Sequence, residues 1–387
     1  MMKCGWSVDV ISRMDDGRNY STEWTDPWLP LKDITHIVEY RIGNKVSRTI
    51  DVIRSAIKMG GFVIEGVRWA SHAYDLACQL CKEKKYDVII TRSPSDIPHI
   101  VGYKLSRKMG IKWISNWNDP AGTIWPEPYT HHFSNRKLKL LQKYERLCLS
   151  NADAITYPAE TLGTIFKKAY PFLKDKLCME IPHIALVDGI LNFKKYKKQD
   201  IFSLCHSGNL SIERNPENSF RAIRELIDEY NIRMRFDIMG YANEFTQQLI
   251  IKYQLEDTVH FIGAYPYIKA IDLLQNYDAL VLIEAILEYG VFAPSKLVDY
   301  VQVNRPIIAV SPANGYVSTM LNMYGGGIAV DNTQYKDIKR ALKSMYDKWD
   351  QGILCNSYNS VSLKEYYSSN SVIDRYNLLF HKLNLIK

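Results

Sequence analysis

The 387-residue chain has no apolar run that approaches a bilayer-spanning helix, and its start has no basic-then-apolar layout of a secretory leader. The expected location is therefore the cytoplasm. Cysteine is sparse: Cys4, Cys78, Cys81, Cys148, Cys178, Cys205 and Cys355 form an odd, scattered set, which fits reduced thiols better than a disulfide framework. Cys78 and Cys81 make a lone C-x-x-C in the helical-looking stretch SHAYDLACQLCKEKK. No second ligand pair lies near it, which favours thiols on a helix over a metal or redox site. The C-terminal half also lacks any excess of one charge. Residues 201–387 hold 18 Lys or Arg against 20 Asp or Glu, and residues 1–200 hold 31 against 22, so the net charge of +7 is N-terminal. No module of interleaved basic and aromatic residues surrounds that excess, which argues against nucleic acid as a partner.

The basic excess peaks in SNRKLKLLQKYERLCLS, where Arg136, Lys139, Lys143 and Arg146 recur at helical spacing opposite Leu138, Leu141 and Leu147. Two readings stand side by side: a helix against an anionic membrane surface, and the solvated face of a core helix. Length and a hydrophobic content of 47% suit two globular domains. In the first half, KKYDVIITR, IKWISNW and NADAITYPA read as strands, with helices SDIPHIVGYKLSRKM and ETLGTIFKKA between or after them. ILNFKKYKKQD, residues 190–200, is polar and without a period, so it is the expected linker. A second alternating half begins at Ile201. Gly325, Gly326 and Gly327 are expected to form a tight turn before the strand IAVDN, with no following helix that would make them a phosphate cradle.

The richest stretch is DALVLIEAILEYGVFAPSKLVDYVQVNRPIIAV, residues 278–310. Ala279 to Ile283 reads as a buried strand, Pro294 and Ser295 open a helix, and Pro306 to Val310 begins the next strand. Such punctuation belongs to a parallel sheet, whose ligands bind beyond the carboxyl ends of the strands. Lys296 and Asp299, three apart, share one face of the helix's first turns. The free N–H groups of that helix start, with Lys296 beside them, suit a diphosphate, while Asp299 suits a hydroxyl pair.

These residues resemble the donor-site signature of retaining GT-B glycosyltransferases, glycosyltransferase family 4, of the polysaccharide and capsule type. Pro294, Ser295, Lys296, Asp299 and Tyr300 carry the PSK-acid-Tyr pattern. The usual pair of Glu seven residues apart corresponds here to Glu288 and Asp299, with ten residues between. HSGNLSIERNPENSFRAI is similar to the family's strand, turn and helix, with Asn209 where Arg is common and Arg214 where Lys is common. The run FDIMGYANEF to VHFIGAYPYIKAIDLLQNYDALV follows the family's order, and the resemblance covers about residues 80–385.

The resemblance implies an α/β protein of GT-B architecture, two doubly wound Rossmann-like domains facing each other across a cleft. Its expected boundaries are an acceptor-side domain at 1–189, the linker at 190–200, a nucleotide-sugar domain at 201–365, and a final helix at 366–387 returning to the first domain. MMKCGWSVDVIS looks like the end of a first helix and a second strand, so the usual first strand and its Gly-rich turn are expected to be missing. The implied reaction moves a sugar from a nucleotide-diphosphate sugar to a hydroxyl of a saccharide or lipid-linked saccharide, with retention and with no metal. Glu288 and Asp119 are the catalytic candidates, Asn209, Arg214, Ser295, Lys296 and Asp299 the donor-binding ones. Arg92, His99 and Asn118 follow strand ends on the acceptor side, and Asp119 either orients a hydroxyl or caps a turn. A non-catalytic binding or scaffold relative, and a sugar-nucleotide epimerase of the same architecture, are the competing readings. The loop MDDGRNYSTEWTDPWLP carries no assignment.

Overall fold

The computed structural model describes residues 1–13, 29–38, 43–185 and 193–386. Most of the unassigned loop and residues 190–192 of the expected linker lie outside them. The chain forms two compact units. One holds Met1–Trp125, Thr130–Ile181 and Ile373–Lys387; the other holds Pro126–Tyr129 and Pro182–Val372.

In the first unit a short 3-10 turn, Met2–Cys4, precedes strand β1 (Val10–Arg13), helix α1 (Leu29–Lys32) and β2 (Thr35–Val38). Then come α2 (Lys45–Lys58), α3 (Val67–Glu83), β3 (Val88–Arg92), α4 (Pro98–Met109), β4 (Lys112–Asn116), α5 (Asn135–Asn151), β5 (Ala154–Tyr157), α6 (Glu160–Ala169) and β6 (Cys178–Glu180). The strands do not form one sheet. β3, β4, β5 and β6 lie side by side in that order, all parallel, while β1 and β2 make a separate parallel pair. Leu162 and Phe166, four apart, give α6 the stripe that buries against the core with Trp113, Trp117 and Tyr157. Pro98 opens α4 because its missing N–H is one the helix start leaves unpaired in any case.

The basic helix α5 is capped by Ser134, whose hydroxyl accepts from Lys137 N at 3.4 Å. Tyr144, Glu145, Cys148 and Leu149 are buried, and Arg136, Lys139, Lys143 and Arg146 are exposed. Its apolar stripe therefore belongs to the core, and the exposed face is cationic. Cys78 and Cys81 lie on α3 as free thiols, Cys78 buried.

The second unit runs β7 (Phe202–Ser207), α7 (Glu217–Tyr230), β8 (Met234–Met239), α8 (Glu244–Lys252), β9 (Val259–Phe261), α9 (Tyr267–Leu274) and β10 (Ala279–Ile283). α10 (Ser295–Val303), β11 (Ile307–Ser311), α11 (Tyr316–Tyr324), β12 (Gly327–Asp331), α12 (Tyr335–Asp350), α13 (Leu354–Ser357) and α14 (Val361–Tyr366) follow. The last helix, α15 (Ser369–Lys382), passes at Ile373 into the first unit. The sheet is parallel, in the order β12-β11-β10-β7-β8-β9. All five residues of β10 are buried, as expected of a central strand covered on both faces. The chain lays down β8 and β9 on one side of β7 and returns with β10 on the other. The strand order therefore reverses between β7 and β10, and the crevice beyond their carboxyl ends is where such sheets bind ligands.

Candidate functional site

The carboxyl end of β7 leads into Gly208 at φ +121°, a conformation that side chains rarely adopt. A Cβ placed there would lie 2.7 Å from Lys296 Nζ, so the lysine occupies the space that glycine leaves open. Lys296 stands in the first turn of α10, whose cap residue Pro294 accepts from Leu297 N at 3.0 Å. That helix start leaves backbone N–H groups beside the ammonium. Tyr300 fixes the helix: its hydroxyl accepts from Ser207 N at 2.8 Å and donates to Val281 O at 3.1 Å, joining α10 to β7 and β10.

Lys296 is half-buried, and its pKa lies below the ordinary lysine value because burial and the nearby Arg214 charge outweigh the pull of Asp299 and Glu284. A partly buried ammonium beside the exposed Arg214 guanidinium favours an anion close to both. Arg214 lies in the turn after β7, where Ser211 Oγ accepts from its backbone N at 3.2 Å. Its charge lies close enough to act on the Tyr129 hydroxyl. Tyr129 belongs to the Pro126–Tyr129 segment of this unit, and its ring meets Phe292 edge-on at 5.7 Å.

Asp299 accepts from Tyr267 Oη at 2.6 Å. Burial lifts its pKa to about 6, against the opposing effects of that bond and of Lys296. Asn209 Oδ1 accepts from Tyr241 N at 2.9 Å, so this side chain fastens the turn after β7 to the turn after β8. Ser295 is exposed. Arg214, Lys296 and Asp299 are thus one group of interacting charges, with Asn209 and Ser295 on the flanking turns.

Glu288 is exposed in the loop after β10. The carboxylate among the cations is Glu284, which directly follows β10 and is only 9% exposed. Burial lifts its pKa to about 8 although Arg214 and Lys296 pull it down, so it carries a proton at neutral pH. His206, inside β7, bonds Val281 O at 3.0 Å through Nδ1, and burial lowers its pKa to about 3. Glu284, Tyr129 and His206 escaped the sequence reading. Glu284 ends an apolar run with nothing to mark it, and Tyr129 lies 85 positions before Arg214.

The loop itself is pinned. Asn332 Nδ2 donates to Ala285 O at 2.9 Å, His183 Nε2 pairs with Ala293 O at 3.0 Å, and Gly290 exchanges backbone bonds of 2.8 Å with Asn314 and Tyr316.

In the first unit Asn118 N donates to Ser93 Oγ at 3.1 Å, and its amide also bonds Ser93 O. Asp119 lies beside Asp96, a buried carboxyl whose pKa is lifted to about 7 by desolvation and by Glu145. Arg92 is exposed at the end of β3. His99 sits elsewhere than the sequence suggested. It is fully buried, stacked on Trp117 at 4.1 Å and bonded to Thr91 Oγ1 at 2.8 Å, which gives it no open face for an acceptor.

Among the described residues no cluster of three or more His, Cys, Asp and Glu could hold a metal ion. No helix among them is long and apolar enough to cross a membrane.

Residues 190–360 match the family model described as Glycosyl transferases group 1. No curated protein resembles the chain closely in sequence. Among solved structures, sucrose-phosphate synthase from Thermosynechococcus elongatus superposes with a TM-score of 0.68 at 13% identity, covering 99% of this chain and 90% of that one. A glycosyltransferase from Rickettsia africae gives 0.64 at 12% identity, covering 94% and 89%. Anabaena HepE, solved with UDP and glucose, gives 0.64 at 13% identity, covering 98% and 100%. The fold is GT-B, α/β with parallel sheets. The matched segment contains Asn209, Arg214, Glu284, Glu288, Ser295, Lys296 and Asp299 but not Tyr129.

Proposed function

We propose that this chain is a retaining glycosyltransferase that moves a hexosyl group from a nucleotide-diphosphate sugar to an acceptor hydroxyl in cell-surface polysaccharide or lipopolysaccharide assembly. The observation that carries the reading is the Lys296 ammonium seated over Gly208, next to Arg214 and the start of α10, at the crevice where the strand order reverses. Negative charge grows on the diphosphate as the sugar leaves. Fixed cations and N–H dipoles aimed there stabilise that transition state without reorganising. Asp299, steadied by Tyr267, takes the ribose hydroxyls. Glu288, on the outer part of the loop after β10, takes the donor-sugar hydroxyls, and no metal is assigned a part.

Asp119 and Asn118 are assigned to the acceptor, with Arg92 nearby in sequence order at a strand end. The cationic face of α5 suits an anionic lipid surface, which would bring a lipid-linked acceptor to the protein on the inner side of the membrane. HepE's bound UDP makes UDP-sugars the first donors to try. Incubating the protein with UDP-glucose or UDP-galactose and a saccharide acceptor, with the new linkage read by NMR, tests the reading. An axial linkage from an axial donor supports it. Binding without turnover on any donor would favour the scaffold reading, and an altered free sugar nucleotide would favour the epimerase.

A further inference from the structure

The Glu284 carboxyl takes no part in the donor contacts assigned to Lys296, Arg214, Asp299 and Glu288. Its backbone continues the ladder of β10, with Glu284 N donating to Val310 O at 3.0 Å and Glu284 O accepting from Asn332 Nδ2 at 3.3 Å. Ala279, Val281 and Ile283 pack into the core shared with α7 and α12. Strand alternation therefore turns Glu284 to the opposite face, where the charges of Arg214 and Lys296 act on it. The residue is nine-tenths buried, yet among the described residues its carboxyl has no hydrogen-bond partner, and neither cation pairs with it.

The titratable groups around it come from several elements. Arg214 and its neighbour Glu213 lie in the turn after β7, Lys296 and Asp299 on α10, His206 on β7 and Tyr129 in the Pro126–Tyr129 segment. His206 is neutral, its pKa lowered to about 3, so Arg214 and Lys296 are the cations that act there. A buried carboxyl that nothing bonds costs free energy until a ligand supplies the partner. Ionised, Glu284 would offset both cations and repel an incoming anion. Protonated, it carries an O–H donor and leaves the cations open.

We propose that Glu284 binds the donor as an acid, its O–H donating a hydrogen bond to a diphosphate oxygen close to Lys296 and Arg214, so that the protonated side chain is the form competent to bind. This rests on the assignment of the crevice to a nucleotide-diphosphate sugar. A phosphate oxygen offers lone pairs and no hydrogen, so it needs the acid, whereas a sugar hydroxyl would suit the carboxylate equally well. Once bound, the diphosphate's negative charge strengthens the acid's hold on its proton. The free protein gives that proton up with a pKa of about 8. Above that pH, binding must take one proton from solution onto the Glu284 carboxylate, and affinity declines as pH rises.

The test is titration calorimetry of the full chain with UDP-glucose, GDP-glucose and dTDP-glucose, whose diphosphates carry no group that titrates near neutral pH. The tightest binder is measured at about pH 6.5 and about pH 8.5, each in two non-phosphate buffers of different ionisation enthalpy. Wild type should take up roughly 0.7 proton per ligand at the higher pH and almost none at the lower, with affinity roughly fourfold weaker at the higher pH. Glu284→Gln keeps an N–H donor and cannot ionise. It should bind like wild type at the lower pH, lose the uptake and bind nearly equally at both. Lys296 is the other nearby group whose proton a diphosphate would hold more tightly, so uptake of the same size in Glu284→Gln would assign the proton to Lys296 and overturn the proposal. No uptake by wild type at the higher pH overturns it without recourse to the variant. If none of the three nucleotide sugars binds, the donor-site assignment falls and the proposal with it, whereas binding without uptake leaves that assignment in place and removes only the acid.

Discussion

Replacing Lys296 by Met separates affinity from stability, because the two should move in opposite directions. The ammonium is held near Arg214 and partly out of water, and its pKa is lowered in the fold. A base whose pKa falls on folding is destabilising wherever it is charged. Met keeps most of the stem's packing and removes that charge. The melting temperature should therefore stay level or rise by roughly 2–4 °C, the response of a domain of this size to about 1 kcal/mol. Hydrogen bonds to charged groups contribute about 1.5–3 kcal/mol, so UDP should bind roughly 10- to 150-fold more weakly. Its remaining affinity should depend less on salt, since one screened cation has gone. Calorimetry with UDP at two ionic strengths, beside differential scanning calorimetry, reads all three. A variant that melts lower and binds UDP as wild type does would refute the reasoning.

Gly208→Ala should weaken UDP binding through the same lysine without removing a charge, because the added methyl would come within 2.7 Å of Lys296 Nζ and push the end of that side chain aside; the φ of +121° adds a stability loss of about 1–3 kcal/mol, read by denaturant unfolding. Glu284→Gln fixes the neutral form of a group whose folded pKa is about 8 against an ordinary 4.5. Wild type should lose stability relative to this variant as pH rises from about 4.5 to 8, by about 1 kcal/mol or more at the upper end, in urea titrations across that range. Asp299→Asn should mainly raise KM for the donor and Glu288→Gln mainly lower kcat, since uniform binding leaves kcat unchanged; steady-state kinetics separate them. Reversing Lys139 and Lys143 to Glu on α5 should abolish sedimentation with anionic vesicles, and salt should do the same to wild type.

What the sequence disclosed depended on whether a short-range signal existed. α6 spans the same ten residues as the segment ETLGTIFKKA because its apolar spacing is local. The start of α10 was legible for the same reason, Pro294 and Ser295 marking a helix whose first turns carry Lys296 and Asp299. Glu284 was not legible, since its meaning comes from Arg214, 70 positions earlier, and from burial that only the folded sheet imposes. Asn209 reads as a substitute for a charged contact, yet its oxygen is committed to Tyr241 N. His99 shows the opposite limit: a histidine near a helix start carries no sign that Trp117 will cover it.

The loop after β10 has an unequal capacity for change. Gly290 and Gly315 touch so closely that a methyl on Gly315 would come within 2.5 Å of Gly290 Cα, and Asn332 and His183 hold the loop at its two ends. Between those stitches Ile286 and Tyr289 are nearly half exposed, and Glu288 is exposed beside them. Mutations at the stitches are purged through misfolding, while the three outward positions can drift at almost no thermodynamic penalty. Descendants of such a gene could therefore diversify Ile286, Glu288 and Tyr289, around the buried Leu287, with the stitches inherited intact.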